Sequence, residues 1–213
     1  MSVSVKICGV KTVQAIEACV ENGAKYVGFM FVPSSPRYVS SLIASELALR
    51  LPTTVKAVGV FVNPDPEFLD HILHHVPLDY IQLHGDETVS FIEEIRNKHS
   101  VKIIKAVGIE TAFDFPKIDE YKAVVDMVLL DSKSDTDQRG GTGKPFNWSL
   151  LKAYKWNDTP WMLAGGVTFE NVKTAVEAGG ASIIDLSSAL ESERGEKDPE
   201  RIKLFMDKVK KIV

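Results

Sequence analysis

This sequence has little cysteine and no long apolar run. Its 213 residues include two cysteines, Cys8 and Cys19, which cannot form a disulfide framework and favour a reducing, cytoplasmic setting. No apolar stretch approaches the length that crosses a bilayer, so we expect no membrane partner. Residues 1–6 lack a basic segment followed by an apolar stretch, so we expect no signal peptide.

The chain also lacks an excess of positive charge. It carries 25 Lys and Arg against 29 Asp and Glu, a net charge of -4, so we expect no nucleic-acid partner. The length is enough for one substantial core and short for two, which predicts a single domain over residues 1–213. No spacing of Cys, His, Asp and Glu predicts a metal site, and the dinucleotide and Walker signatures are absent.

Eight short apolar, β-branched runs are present instead, and most are nearly continuous, which is typical of strands buried on both faces. They are residues 3–7, 26–31, 57–61, 80–83, 102–107, 127–130, 161–163 and 182–186. Amphipathic segments with helical spacing follow most of them, at 12–22, 40–51, 66–76, 88–98, 111–121, 168–178 and 199–212. Thr12 is the expected N-cap of the first helix and Gly23 its C-terminal stop.

Eight such units with a chain-closing helix predict a single (β/α)8 TIM barrel of the α/β class. The alternative is a doubly wound open sheet, which needs a nucleotide-type glycine turn after an early strand. Gly9 alone does not supply that turn. One segment departs from the alternation: residues 132–145 are polar and rich in glycine, which predicts a long mobile loop of the kind that often serves as a lid.

Two ionisable side chains end predicted strands. Cys8 ends the first strand, before Gly9, and Asp131 ends the sixth. Each has an ordinary explanation, a small buried hydrophobe for the cysteine and a turn residue for the aspartate. In a closed parallel barrel, however, the carboxyl ends of the strands form the reaction site. A thiolate can abstract a proton from carbon and an aspartic acid can donate one, so the pair predicts an acid–base isomerase.

Further polar and small residues lie at the same predicted edge. Asp185 ends strand eight, where it can orient substrate hydroxyls or cap a turn, and His84 ends strand four as a polar lining residue. Arg37 follows strand two, and its planar fork suits a carboxylate. Backbone N–H groups after strands six, seven and eight favour a phosphate, and the candidates are Gly141, Gly143, Gly165, Gly166, Ser187 and Ser188.

Several short motifs occur in one order along essentially the whole chain. They are KICG (6–9), SPR (35–37), QLHG (82–85), LDS (130–132), GGTG (140–143), AGG (164–166) and DLSS (185–188). Each motif alone is weak evidence, but the ordered set is specific. The set resembles the phosphoribosylanthranilate isomerase family of tryptophan biosynthesis.

The resemblance implies an Amadori rearrangement of N-(5'-phosphoribosyl)anthranilate to 1-(2-carboxyphenylamino)-1-deoxyribulose 5-phosphate. Asp131 would protonate the ribose ring oxygen, and Cys8 would remove the C2 proton. Arg37 would lie near the anthranilate moiety, Asp185 would hold the sugar, and the glycine and serine segments would bind the phosphate. Both steps are proton transfers, so no cofactor is expected. The expected partner is this phosphorylated small molecule, and the chain is expected to be a monomer or a homodimer.

One position departs from the family, and two other functions stay open. Ala189 stands where the family usually has glycine, and we expect at most weaker phosphate binding. A lyase or epimerase acting on another sugar phosphate would use a metal or a Schiff-base lysine, for which Lys105 is the nearest candidate. A non-catalytic ligand-binding barrel would have no need of both Cys8 and Asp131.

Overall fold

The computed structural model describes residues 3–133, 145–156 and 158–212. Within them, eight parallel strands close into a barrel in sequence order, and the last strand pairs with the first. This arrangement confirms the predicted TIM barrel. The strands are β1 Ser4–Cys8, β2 Tyr26–Met30, β3 Lys56–Phe61, β4 Tyr80–Leu83, β5 Lys102–Ile109, β6 Met127–Ser132, β7 Trp161–Leu163 and β8 Ile183–Leu186.

Helices alternate with these strands. They are α1 Val13–Asn22, α2 Ser41–Ala48, α3 Pro66–His75, α4 Val89–Lys98, α5 Phe115–Tyr121, α6 Val172–Gly179 and α7 Pro199–Lys210. Between β6 and β7 the described residues hold a 3-10 helix, Trp148–Ala153, and no α-helix. No helix in the described ranges is both long enough and apolar enough to cross a membrane.

The ends of α1 follow from local hydrogen bonding. The Thr12 hydroxyl accepts a hydrogen bond from the backbone N–H of Ala15 at 3.3 Å, which satisfies one of the donors at the helix start. Gly23 ends the helix in the left-handed region, with φ of 88°, where a glycine has no steric penalty. Both predicted boundaries are confirmed.

The sixth helix begins later than the sequence pattern predicts, at Val172 rather than at residue 168. The Asn171 side chain accepts a hydrogen bond from the Thr168 backbone N–H at 2.7 Å and donates one to the Gly166 carbonyl at 2.7 Å. This side chain therefore holds residues 166–171 as a turn, because asparagine competes with the helix for backbone hydrogen bonds.

Side chains alternate along the barrel strands between the helix layer and the barrel interior. In β6, Val128 and Leu130 pack between the barrel and the helices, whereas Met127 and Leu129 point inward. The interior cluster comprises Val58, Tyr80, Ile104, Ala106, Met127, Leu129, Met162 and Ala164. Burying each large apolar side chain contributes roughly 1.5–3 kcal/mol to stability. By the same period of two, Asp131 points into the mouth of the barrel.

A small hairpin follows β8. A 3-10 turn, Ser188–Leu190, leads to the antiparallel strands β9 Glu191–Glu193 and β10 Glu196–Lys197. Gly195 in the turn has φ of 93°, and a Cβ atom there would lie 2.5 Å from the Pro36 carbonyl oxygen. Glycine therefore lets the hairpin turn pack directly on the loop after β2.

Candidate active site

A cavity of about 540 Å³ opens at the carboxyl ends of the strands. Every sequence-predicted site residue that the structure describes lines it: Cys8, Arg37, His84, Asp131, Gly165, Gly166, Asp185, Ser187 and Ser188. Gly141 and Gly143, together with most of the predicted lid segment 132–145, lie outside the described residues. Residues from six strands and their loops thus meet in one chamber, as is usual for this fold.

Cys8 ends β1 with its thiol on the inner face of the barrel. Its neighbours Val5 and Ile7 pack on the helix side, so the alternation of the strand turns Cys8 inward. The neighbouring strand leaves room for the sulfur, because a Cβ atom on Gly28 would lie only 2.9 Å from Sγ. The thiol is free, and the residue is only 5% exposed.

Lys6 is a residue that the sequence reasoning missed. It lies two positions before Cys8 on the same inner face of β1, and it is fully buried. Lys6 and Asp185 are register partners on β1 and β8, and Lys6 Nζ lies 2.9 Å from Asp185 Oδ1. A lysine within a continuous apolar strand was the available signal, since a buried ammonium requires a charged partner.

The protonation states of Cys8, Lys6 and Asp185 depend on one another. Burial raises the pKa of the Cys8 thiol above its ordinary value, although the ammonium groups of Lys6 and Lys197 act in the opposite direction. Burial by itself would lower the pKa of Lys6, but the Asp185 carboxylate and Cys8 more than offset this, and the net pKa is raised. Burial also raises the pKa of Asp185, against the effect of Lys6. The ammonium therefore favours a thiolate in a site that otherwise disfavours one.

Asp131 is held at the end of β6 by hydrogen bonds. Its Oδ1 atom accepts a hydrogen bond from the Ser132 backbone N–H at 2.7 Å, and His84 Nε2 lies 3.2 Å from its Oδ2 atom. Gln82 Nε2 donates to His84 Nδ1 at 2.9 Å, which leaves His84 Nε2 as the nitrogen that donates to Asp131. A Cβ atom on Gly165 would lie 2.9 Å from Asp131 Oδ1, so the glycine makes room for this carboxyl.

Arg37 lines the cavity, and a carboxylate of the protein occupies its fork. Arg37 donates from Nε and Nη2 to the two Glu191 oxygens at 2.7 and 3.0 Å, and Lys197 Nζ lies 2.6 Å from Glu191 Oε1. The Gly195 backbone N–H also donates to Glu191. Burial would raise the pKa of Glu191, but these donors lower it to about 2. The pattern of the sequence did not reveal this network, which joins the loops after β2 and β8.

The loops after β7 and β8 present small residues to the cavity. Gly165 and Gly166 both have positive φ, 75° and 71°, which favours glycine at each position. Ser187 donates from its hydroxyl to the Cys8 carbonyl at 3.1 Å, and this bond ties the β8 loop to the end of β1. Ala189, also in the cavity wall, has a negative φ, so its methyl group causes no backbone strain.

Lys105, the candidate Schiff-base lysine, does not reach the cavity. Its strand neighbours Ile104 and Ala106 point into the barrel, so Lys105 faces the helix layer. There its Nζ atom lies 3.0 Å from Glu87 Oε2 and donates to the Gly85 carbonyl at 2.8 Å. A lysine paired and buried in this way has no path to a substrate in the cavity, and the Schiff-base alternative loses its best residue.

Comparison with known proteins identifies a family of isomerases, which agrees with the acid–base groups found in the cavity. Residues 5–208 match the family "N-(5'phosphoribosyl)anthranilate (PRA) isomerase". A relative of that name from Paracoccus denitrificans is 46% identical over 208 residues, which cover 97% of this chain and 96% of the relative. A second relative, from Rhodospirillum centenum, is 42% identical over 97% of each chain.

Solved structures of the same family share the fold. The phosphoribosyl anthranilate isomerase of Thermotoga maritima superposes with a TM-score of 0.87 at 37% identity, covering 98% of this chain and 99% of the other. Another, solved with reduced 1-(o-carboxyphenylamino)-1-deoxyribulose 5-phosphate, gives a TM-score of 0.84 at 34% identity with the same coverage. A further Thermotoga maritima structure describes that enzyme as dimeric.

The barrel, with ionisable groups gathered at the carboxyl ends of its strands, places the protein among the TIM-barrel enzymes. The family match and the relatives narrow this class to an intramolecular isomerase. The chain belongs to the N-(5'-phosphoribosyl)anthranilate isomerase family.

Proposed function

We propose that Asp131 is the general acid and Cys8 the general base of the reaction that this chain catalyses. That reaction converts N-(5'-phosphoribosyl)anthranilate to 1-(2-carboxyphenylamino)-1-deoxyribulose 5-phosphate in tryptophan biosynthesis. One observation carries the assignment of roles: a thiol on β1 and a carboxyl group on β6 face the same cavity at the mouth of the barrel. Positioned proton transfers of this kind contribute about 10²–10⁴-fold each.

The first step opens the ribose ring. Protonated Asp131 gives its proton to the ring oxygen, and the bond between that oxygen and C1 breaks as the anthranilate nitrogen forms a C1–N double bond. Asp131 becomes a carboxylate at that moment. Two donors, the Ser132 N–H and the His84 Nε2–H, then stabilise the new negative charge.

The second step moves a proton from carbon. The Cys8 thiolate takes the C2 proton, and the C2–H electrons form a C1–C2 double bond while the imine electrons return to nitrogen. The enolamine becomes the ketone when its C2 hydroxyl loses a proton and C1 gains one. Cys8 ends protonated and Asp131 ionised, and proton exchange with solvent restores both. No step requires a metal or a redox partner.

Other residues of the chamber suit the rest of the substrate. Gln82 Oε1 is buried without a hydrogen-bond partner in the described structure, and its side chain lines the cavity, so it offers an acceptor to a sugar hydroxyl. Asp185 offers a second acceptor. The phosphate is proposed to lie on the backbone N–H groups of the loops that contain Gly165, Gly166 and Ser188.

The wider setting is also part of the proposal. Residues 1–213 are proposed to form one barrel domain, working as a monomer or a homodimer; a dimeric relative supports the second form. A reducing, cytoplasmic location is supported by Cys8 and Cys19, both buried and free. The only partner proposed is the phosphorylated small-molecule substrate.

The decisive experiment is turnover of N-(5'-phosphoribosyl)anthranilate, made in situ and followed by loss of its fluorescence. The Cys8→Ala variant should lose about 10²–10⁴-fold in kcat with KM nearly unchanged, because the thiol acts on the proton and not on binding. Cys19→Ala is the matched control, since Cys19 is also buried and free but lies in α1. Near wild-type turnover in Cys8→Ala would remove Cys8 from the mechanism.

A further inference from the structure

Lys105 and Glu87 form an ion pair between the barrel and the helix layer, and none of the proposed proton transfers uses it. Their side chains are only 2% and 1% exposed, and Lys105 Nζ lies 3.0 Å from Glu87 Oε2. Taking two charges out of water is costly, and apolar residues of similar size often stabilise a protein as well or better. Stability alone is therefore a weak explanation for this pair.

The ammonium of Lys105 holds the chain on both sides of His84. Lys105 pairs with Leu83, the last residue of β4, in the register of β4 and β5. Its Nζ atom donates to the Leu83 carbonyl at 3.3 Å and to the Gly85 carbonyl at 2.8 Å. These are the residues immediately before and after His84. The ammonium therefore supplies hydrogen bonds to the backbone at the point where the pairing of the two strands ends.

Glu87 ties the same stretch of backbone to the loop after β3. Its Oε1 atom accepts from the backbone N–H groups of Asn63 at 2.8 Å and Gly85 at 2.9 Å. Asn63 Oδ1 in turn accepts from the Asp86 N–H at 2.7 Å. A Cβ atom on Gly85 would lie 2.5 Å from Glu87 Oε1, so the glycine of the QLHG motif lets the carboxylate approach. The two loops are thus held together by buried groups.

His84 is the side chain that this backbone presents to the cavity. Leu83 packs on the helix side, and the alternation of the strand turns His84 to the cavity. There His84 Nε2 lies 3.2 Å from Asp131 Oδ2. A hydrogen bond weakens steeply when its donor and acceptor become misaligned, so the position of the His84 backbone decides how well the imidazole reaches Asp131.

We propose that Lys105 and Glu87 are positioning residues for the general acid, because they hold His84 within hydrogen-bonding distance of Asp131. This inference rests on the proposed function, in which His84 stabilises the carboxylate that Asp131 becomes. The pair acts through the backbone and does not touch the substrate. Its loss should therefore lower the rate of the chemical step without weakening binding, since a displacement of about 1 Å can cost up to about 100-fold in rate.

The first test is kinetic. Glu87→Gln removes the negative charge that faces Lys105, and it should lower kcat by about 3- to 30-fold with KM within about twofold of the wild type. In a His84→Ala background the same substitution should cost less than about twofold, because the group that it positions is already gone. Lys105→Met/Glu87→Gln removes both charges together and keeps the test valid if the single variant folds poorly.

A second readout does not depend on turnover. In protein labelled with ¹⁵N-histidine, the ring nitrogen signals of His84 are assigned by their loss in His84→Ala. These signals should shift in Glu87→Gln and in the double variant, because the hydrogen bond from His84 Nε2 to Asp131 weakens. A pair that only stabilised the fold would leave them in place.

Asp126→Asn is the matched control. Asp126 accepts a hydrogen bond from the Ile103 backbone N–H at 2.8 Å, so it also joins neighbouring strands, but at their amino ends and away from the cavity. This variant should lower the thermal unfolding temperature while kcat and the His84 signals stay unchanged.

Three results would overturn the inference alone: an unchanged kcat in Glu87→Gln, an equal loss of kcat in the His84→Ala background, or unmoved His84 signals. A wild type that does not turn over the substrate would overturn the proposed function instead. The His84 signals would then decide by themselves whether Lys105 and Glu87 position this side chain.

Discussion

Lys6 Nζ lies 2.9 Å from Asp185 Oδ1, beneath the cavity that Cys8 lines. The two residues are register partners on β1 and β8, strands that come from opposite ends of the chain. The pairing keeps an ammonium charged in a buried position, on the same face of β1 as the thiol. Lys6 is thus a positioning residue that sets the charge around the proposed base.

Replacing Lys6 should shift the pH dependence of catalysis. Lys6→Met removes the cation that favours the thiolate, so the pKa of Cys8, already raised by burial, should rise further. The rising limb of kcat/KM should move to higher pH by about one to three pH units. Lys6→Met/Asp185→Asn, which leaves no unpaired buried carboxylate, keeps the test valid if the single variant folds poorly.

A second lysine–aspartate pair provides the control for the predicted shift in the pH profile of kcat/KM. Lys56 and Asp79 form an ion pair of the same length, 2.9 Å, at half-exposed positions outside the cavity. Lys56→Met should leave the pH profile unchanged. A profile that does not move in either Lys6 variant would mean that Lys6 supports the fold and not the thiolate.

Asp131→Asn should lower kcat by about 10²–10⁴-fold with little change in KM, because an amide cannot supply the proton of a carboxylic acid. His84→Ala should lower kcat less, since His84 only donates to Asp131 Oδ2. In the double variant, His84→Ala should cost nothing further. Asp207→Asn, on the exposed side of α7, is the matched control. A rise in KM alone would make Asp131 a binding residue.

Gly165→Ala should impair both stability and turnover. Its φ of 75° costs an alanine about 1–2 kcal/mol, and the new methyl group would lie 2.4 Å from the Ser132 backbone nitrogen and 2.9 Å from Asp131 Oδ1. Gly23→Ala has a similar φ, 88°, with open space around it, so it should lose stability without losing kcat. The measurements are kcat and the thermal unfolding temperature of both variants. If the two variants lost kcat equally, the close approach of residue 165 to Asp131 would not matter for catalysis.

Glu191→Gln should flatten the acid dependence of stability. The pKa of Glu191 falls from an ordinary 4.5 to about 2 in the fold. Because the folded pKa lies below the unfolded one, this stabilisation is complete above about pH 4.5 and is lost as the pH falls towards 2. It amounts to about 3 kcal/mol. Urea unfolding of Glu191→Gln should show lower stability at pH 7 and a smaller loss between pH 5 and pH 3.

Glu177→Gln is the control for this acid dependence, because its carboxylate is exposed and forms only a weak pair with Lys173 at 3.8 Å. This variant should keep the wild-type slope of stability against pH. If Glu191→Gln kept that slope as well, the network of Arg37 and Lys197 would not be what holds the carboxylate ionised in acid.

Most of the barrel is predictable because burial on both faces of a strand leaves a continuous apolar run. The exceptions lie where strand pairing extends a strand past a glycine or a polar residue that interrupts or ends its apolar run. β5 continues to Ile109 and β6 to Ser132, two residues beyond their apolar runs, because Gly108 pairs with Asp131 and Ile109 with Ser132. The sequence pattern contains no trace of that pairing.

The sequence by itself determined the barrel and the positions of Cys8 and Asp131 at strand ends, since both depend on the local order of apolar and polar residues. Only the tertiary structure decided which charges meet. Lys6 reaches Asp185 across 179 positions of sequence, and Arg37 reaches Glu191 across 154. The physical reason is that an ion pair forms only where two side chains come within about 4 Å. Barrel closure sets the register of β1 against β8 and so brings Lys6 to Asp185, and the packing of the hairpin on the loop after β2 brings Glu191 to Arg37.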